Sequence, residues 1–377
     1  MKDSDLNAEL IIIGGGLAGL TSAIHLSKLG FRVLVIEKNA YPKHKVCGEY
    51  VSNEVLPYLN WLDFDPENLS PAHIDFLHFS TQSGESLRIQ LPLGGFGVSR
   101  YALDYSLYLK AISQNCTVLK DQVKEACFKD DIFSVHLASG KTVTSSVVLG
   151  AFGKRSTLDQ KMERKFFHQK SPWLAVKSHY KGDFPSDLVG LHHFKGGYCG
   201  VSKVEHDLIN ICYLTNFESF KEFKNIAEFQ EKVVSQNPHL KAILNHAEAV
   251  SEKPLTISQI SFAGKNTVEN HVLMIGDTAG LIHPLCGNGM AMAIHSAKLA
   301  SEAVSDFLRK KTSRAVMERT YQILWDQNFR KRMLYGRYLG KILEHASLSE
   351  ILTKMIKFIP SILPFIIKKT HGKEILM

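Results

Sequence analysis

The chain has 377 residues, 45% of them hydrophobic and 22% charged, which describes an ordinary globular protein with room for two domains. Its formal net charge of +8 is thinly spread, and no Lys/Arg block interleaved with aromatics points to nucleic acid; the excess suits anionic ligands or an acidic membrane surface. Six cysteines without a CxxC pair or zinc-like His/Cys spacing give no sequence support for a metal, and the polar start of the chain reads as no signal peptide, so a cytoplasmic protein without bound metal is expected.

Leu10-Ile11-Ile12-Ile13 is a continuous apolar run, as in a parallel strand buried on both faces. A glycine-rich turn follows at 14–19, then a stretch of helical period that stops at Gly30. Residues 32–36 form a second apolar strand ending at Glu37, completing a βαβ unit. Further on, 101–115 reads as a helix, and 117–119, 133–137 and 143–149 read as strands. From about 166 to 262 the pattern changes to antiparallel strands at 173–180, 188–194, 198–204 and 208–214, interrupted by a helix at 217–235. A tight connection at Glu205-His206 would set Cys199 opposite Cys212 as free thiols. Residues 272–275 return to a buried strand, 290–308 form a long helix, and helices fill the chain from Arg314 onward.

Gly14, Gly16 and Gly19 fit G-x-G-x-x-G: the first permits the turn, the second lets backbone approach a pyrophosphate, and the third lets helix and strand pack closely. Leu17 and Ala18 lie inside this turn, where helix N–H groups face an anion. Glu37 stands where a carboxylate accepts hydrogen bonds from ribose hydroxyls, with Lys38 beside it. Such a turn serves NAD or FAD alike.

A second segment separates the two. The strand into Gly276-Asp277, followed by His283-Pro284-Leu285-Cys286-Gly287-Asn288-Gly289, resembles the GD box of the FAD-dependent aromatic hydroxylase and geranylgeranyl reductase superfamily. The resemblance implies FAD, with Asp277 on the ribityl chain and Gly287, Asn288 and Gly289 bringing a helix N-terminus to the flavin's pyrimidine edge. Lys45-Val46-Cys47-Gly48-Glu49-Tyr50-Val51-Ser52 is similar to the flavin-side loop of geranylgeranyl reductase-like enzymes. Ser99-Arg100, with Asp104, resembles the segment whose Arg contacts the ribityl or phosphate region; Cys47 and Val123 are placed at the cofactor with it. The implied fold is α/β: a Rossmann-type FAD-binding domain (1–70, 98–162 and 266–312), an inserted α+β substrate domain on an antiparallel sheet (71–97 and 163–265), and a C-terminal helical region (313–377).

The chain departs from each branch. Phe152 stands where the hydroxylases carry an Asp linked to nicotinamide handling, so NAD(P)H and a separate electron-donor protein are both open as electron sources. Gly200 stands where isoprenoid reductases carry Trp, and the halogenases' W-x-W-x-I-P is absent. The leading reading is reduction of C=C bonds in a hydrophobic lipid or secondary metabolite. The alternatives are FAD-dependent hydroxylation or epoxidation of an aromatic or polyketide-like molecule, and a non-catalytic flavin-binding protein.

Cys47 and Tyr198 are the candidate catalytic residues, as proton donors or as groups that orient substrate. His192 and His193 are adjacent on a predicted strand and face opposite sides; His283 and His295 flank the flavin helix. Near the C-terminus, 351–369 holds an apolar run between lysines, too short to span a bilayer. It is expected to cap the core, roof a substrate channel, or touch a membrane surface peripherally.

Overall fold

The aliphatic strand Leu10–Ile13 is buried on both faces at the centre of a six-stranded sheet. The computed structural model describes residues 8–359 and 362–377. It orders this sheet as Val268–Glu269, Val272–Met274, Val147–Gly150, Leu10–Ile13, Val33–Glu37 and Thr117–Lys120. Every neighbouring pair is parallel except the Val268–Glu269 edge. Helices α1 (Leu17–Lys28), α2 (Arg100–Ser113) and α3 (Gly289–Leu308) accompany it, with α1 against both α2 and α3.

The apolar run at 143–149 is two strands rather than one. Thr142–Ser145 belongs to a small three-stranded antiparallel sheet, whereas Val147–Gly150 enters the parallel sheet. Ser145 Oγ donates to the Val147 carbonyl at 2.7 Å, holding the break.

A larger sheet runs Glu248–Ala249, Trp173–Lys181, Ile209–Asn216, Gly197–Lys203, Leu188–Phe194, Ala72–Ser80, Ser86–Gly97 and Tyr50–Ser52, with Leu255–Ser258 also paired to Trp173–Lys181. It is mixed, not purely antiparallel, because Leu188–Phe194 lies parallel to Ala72–Ser80. These two strands come from separate stretches of chain, so no hairpin ties their directions.

The Gly197–Lys203/Ile209–Asn216 hairpin also corrects the expected thiol pair. Its connection contains a three-residue turn, Glu205–Asp207, with His206 at φ 60°. Cys199 therefore faces Tyr213, and Cys212 faces Gly200. A one-residue shift moves a side chain to the other face, so the two thiols lie on opposite sides of the sheet. The predicted helix at 217–235 is likewise divided into Phe217–Phe220 and Ile226–Lys232, because Asn225 caps a new helix by accepting from Glu228 N.

The C-terminal helices are α4 (Arg314–Trp325), α5 (Lys331–Glu344), α6 (Ala346–Phe358) and α7 (Ile362–Thr370). Helix α5 packs on α6 and α7, and both of these reach the Ser86–Gly97 strand. Of the apolar run near the C-terminus, Pro360 and Ser361 lie outside the described residues. No helix among the described residues is long and apolar enough to cross a membrane.

Candidate active site

The turn after the first strand begins at Gly14, whose φ of +105° and closeness to Ala151 leave no room for a side chain. Glu37 fixes its far side: Oε2 accepts from Gly15 N at 2.8 Å, and Oε1 from Asn39 N and Nδ2 at 2.9 and 2.7 Å. Helices α1 and α3 both start without a side-chain cap, at Gly16 and Asn288, whereas α2 is capped by Ser99. Their N–H groups thus remain available to an anion or to a flavin carbonyl.

These segments open onto one cavity of about 770 Å³. Gly14, Gly16, Leu17, Ala18, Glu37, Lys38, Cys47, Arg100, Val123, Asp277, Gly287 and Gly289 line it, and Tyr198 lines it from the larger sheet. Gly19 and Asn288 do not. A Cβ on Gly19 would lie 2.0 Å from the Gly14 carbonyl, so its place is helix–strand packing. Asn288 is fully buried, its amide turned towards Glu54 without a well-formed hydrogen bond.

Two cations flank the turn. The Arg100 guanidinium grips Asp104 with two hydrogen bonds of 2.8 Å, and Lys45 Nζ reaches the same carboxylate at 2.7 Å. Burial opposes ionisation of Asp104, yet Arg100 and Lys45 hold its carboxyl below the usual range. A Cβ on Gly16 would be 3.6 Å from Lys45 Nζ and 3.8 Å from Arg100 Nη2, so both cations lie beside the turn where a pyrophosphate fits.

The Cys47 loop is held from the larger sheet. Glu49, wholly buried, accepts from Lys177 Nζ at 2.6 Å and Arg100 N at 2.8 Å, and its other oxygen meets His179 Nε2 at 2.7 Å. Burial works against its charge, but His179 and Lys177 keep the carboxyl below the usual range. Asn210 Nδ2 donates to the carbonyls of Gly48 at 2.8 Å and Cys47 at 3.3 Å. Cys47 Sγ lies 3.4 Å from Met290 Sδ, in the first turn of α3.

The Gly276-Asp277 corner is pinned from behind. Lys265 Nζ donates to the carbonyls of Asp277 and Lys154 at 2.8 and 2.9 Å, and burial lowers its pKa to about 8. Arg164 Nη1 donates to the Thr278 carbonyl at 3.0 Å and to Asp159 at 2.8 Å. Lys177, His179, Asn210 and Lys265 escape sequence reading. Lys177, His179 and Asn210 lie on strands where polar residues look like a solvated face, and only the fold turns that face onto the Cys47 loop; Lys265 lies between strands, where a lysine reads as exposed.

Beyond the Cys47 loop the wall is apolar, built from the larger sheet, the 281–287 loop and helices α5–α7. Tyr198 stands opposite His193 in register, with ring centroids 6.0 Å apart, and 6.0 Å from His283. Burial lowers both histidines to a pKa of about 4, so they are neutral at pH 7. They share a small side chamber of about 30 Å³ with Tyr198 and Ser349. Gly340 lets α5 close it, since a Cβ there would lie 2.8 Å from His283 Nε2. His192 faces the other side and bonds Ser80 Oγ at 2.8 Å; His295 packs on Phe329 and is not part of the cavity wall.

The parallel sheet, the glycine turn and two uncapped helix N-termini on one cavity define a dinucleotide-binding protein. Residues 9–46 match the family described as FAD dependent oxidoreductase, and residues 212–333 match squalene epoxidase. The chain is 22% identical over 362 residues to conditioned medium factor receptor 1 of Dictyostelium discoideum, covering 87% of this chain and 69% of that one. It is 20% identical over 395 residues to the digeranylgeranylglycerophospholipid reductase of Methanococcus vannielii, covering 97% and 99%. A flavin-dependent brominase shares the fold at a TM-score of 0.77 and 18% identity, over 96% of this chain and 93% of the other. The chain is thus similar to FAD-dependent reductases, hydroxylases, halogenases and epoxidases, and it is an enzyme that uses FAD.

Proposed function

We propose that this flavoenzyme reduces C=C bonds in a hydrophobic lipid or secondary metabolite, in the manner of the geranylgeranyl reductases. The observation that carries this reading is the continuity of the cofactor cradle with an apolar chamber, the Cys47 thiol standing at their junction. Similarity along nearly the whole length of an isoprenoid-lipid reductase supports it. Bound FAD supplies the two-electron chemistry. In this reading Gly14, Gly16, Leu17, Ala18, Glu37, Lys38, Arg100, Val123, Asp277, Gly287 and Gly289 hold the cofactor. Gly19 and Asn288 shape the turns around it. Cys47 and Tyr198 hold protons where the substrate meets the cofactor, and the aliphatic wall excludes water. We assign the FAD domain to 1–70, 98–162 and 266–312, the substrate domain to 71–97 and 163–265, and the substrate roof to the helices of 313–377. The electron source is NAD(P)H or a donor protein.

A second reading, monooxygenation, draws on the squalene epoxidase match, which spans the GD corner, α3 and α4. The two separate when the protein is reduced without oxygen and then mixed with oxygen under stopped flow. Direct return to the oxidised spectrum with matching hydrogen peroxide supports the reductase. A long-lived intermediate spectrum supports the monooxygenase and overturns the first reading.

A further inference from the structure

We infer that the chamber beyond the cofactor cradle takes an uncharged lipid, one whose polar group is a hydroxyl or carbonyl, and refuses chains ending in phosphate or carboxylate. This rests on the proposed reading of the cavity as a lipid-converting site and narrows its substrate class.

The inference begins with where charge sits in the wall. All Lys, Arg, Asp and Glu side chains that line the cavity come from cradle segments: 37–49, 100, 121, 154–155 and 277. The larger sheet, the 281–287 loop and α5–α7 contribute none. Their polar members are hydroxyls, the Cys212 and Cys286 thiols and the His371 imidazole, set among leucines, isoleucines and valines.

These groups stay neutral near pH 7. Burial raises the Tyr198 phenol well above its usual range and the Cys212 thiol to about 12, and it lowers His371 to about 4. Arg332, close enough to His371 to depress its basicity further, is turned to buried Glu54 at 3.6 Å and does not line the chamber. An anionic head drawn inside would lose its water and find no cation, a penalty that remains several kcal/mol in real proteins. Lys45 and Arg100 flank the glycine turn, where the cofactor's own phosphates belong, and Lys154, whose charge reaches Cys212, stands at the cradle end of the cavity rather than among the aliphatic side chains of its far end.

A neutral head fares differently. His371 Nε2 is sealed from solvent and has no partner, while Nδ1 lies 3.3 Å from both the Ile367 carbonyl and Thr370 Oγ1. Thr353 and Thr370 line the cavity beside it. A hydroxyl or carbonyl among the Thr353 and Thr370 side chains carries no charge to bury uncompensated, so it gives up its water at far lower cost. The inference sets this chain apart from the phospholipid reductase it resembles.

The test is calorimetric titration of the FAD-loaded, oxidised protein, without electron donor, with farnesol and with farnesyl phosphate. Farnesol should bind at least about tenfold more tightly, a modest fraction of the cost of an unpaired buried charge. Equal affinity, or preference for the phosphate, overturns the inference, since the head then stays in water or meets a cation. Binding of neither compound instead removes the lipid reading on which it rests.

Discussion

Glu49 and Lys177, 128 residues apart in the chain, meet at 2.6 Å in the interior and join the flavin-side loop to the larger sheet. Neither is exposed, and His179 and Arg100 N complete the shell of the carboxylate. Removing one partner of such a pair leaves an uncompensated buried charge, at a cost of about 3–5 kcal/mol. Glu49→Ala should therefore lower unfolding stability by that amount in urea titration. It should also weaken FAD binding, because Cys47 and Gly48 lose their fixed position. Wild-type stability in this variant would mean that Lys177 finds water or another acceptor.

Two glycines of the same turn should respond oppositely to alanine. At Gly19 a Cβ would lie 2.0 Å from the Gly14 carbonyl, and backbone on both sides cannot yield. At Gly16 the nearest atoms are the Lys45 and Arg100 side-chain tips, in ordinary contact. Gly19→Ala should unfold or distort the turn even without FAD. Gly16→Ala should keep the stability of the FAD-free protein and lose FAD affinity, read by fluorescence titration. Equal behaviour of the two in the FAD-free protein would contradict this division between packing and ligand approach.

The sequence disclosed the cradle but not its supports. Gly14–Gly19, Glu37 and Gly276–Gly289 were legible because close backbone approach to a phosphate leaves a local signature of glycines at fixed spacing. Tertiary pairing leaves no such mark. Lys177 and His179 occupy alternate positions of a strand, and nothing in 173–181 announces that their face meets residue 49. The Cys199/Cys212 register failed for a related reason: a three-residue turn rather than a tighter one shifts every pair downstream, and turn length is weakly written in Glu205-His206-Asp207. The C-terminal helices were visible as helices; that they close over the larger sheet was one of three options left open.

Acid should destabilise the protein well above the range where carboxylates titrate. Burial lowers His25, His192 and His295 to a pKa of about 3, and His193, His283 and His371 to about 4, from 6.5. Between 6.5 and these values the unfolded chain binds protons that the folded chain refuses, so stability falls as pH falls. Each fully shifted histidine contributes a slope of about 1.4 kcal/mol per pH unit. The melting temperature should be flat from pH 8 to 7 and drop steeply between pH 6 and 4.5. His283→Phe, which keeps a ring against Phe262, should make that drop shallower; an identical profile would mean that His283 is protonated in the folded state.

The surface of α5 and α6 should bind acidic membranes. Tyr338, Ile351, Met355 and Phe358 are 58%, 54%, 48% and 88% exposed, and Lys354 and Lys357 lie on the same helix as the last three. The chamber roof is made of these same helices, whose Leu339, Leu343, Leu352 and Ile356 line it. An apolar row beside lysines partitions into a bilayer interface; a lysine near an anionic surface adds about 1 kcal/mol, less for Lys357, which is paired with Glu85. The protein should co-sediment with phosphatidylserine-containing vesicles more than with neutral ones, and less as salt rises. Met355→Asp with Phe358→Asp should abolish sedimentation while leaving FAD affinity unchanged, because neither side chain reaches the cavity. Vesicle binding that survives this pair would move the contact to another face, and the lipid would then have to reach the chamber by a route that does not pass α6.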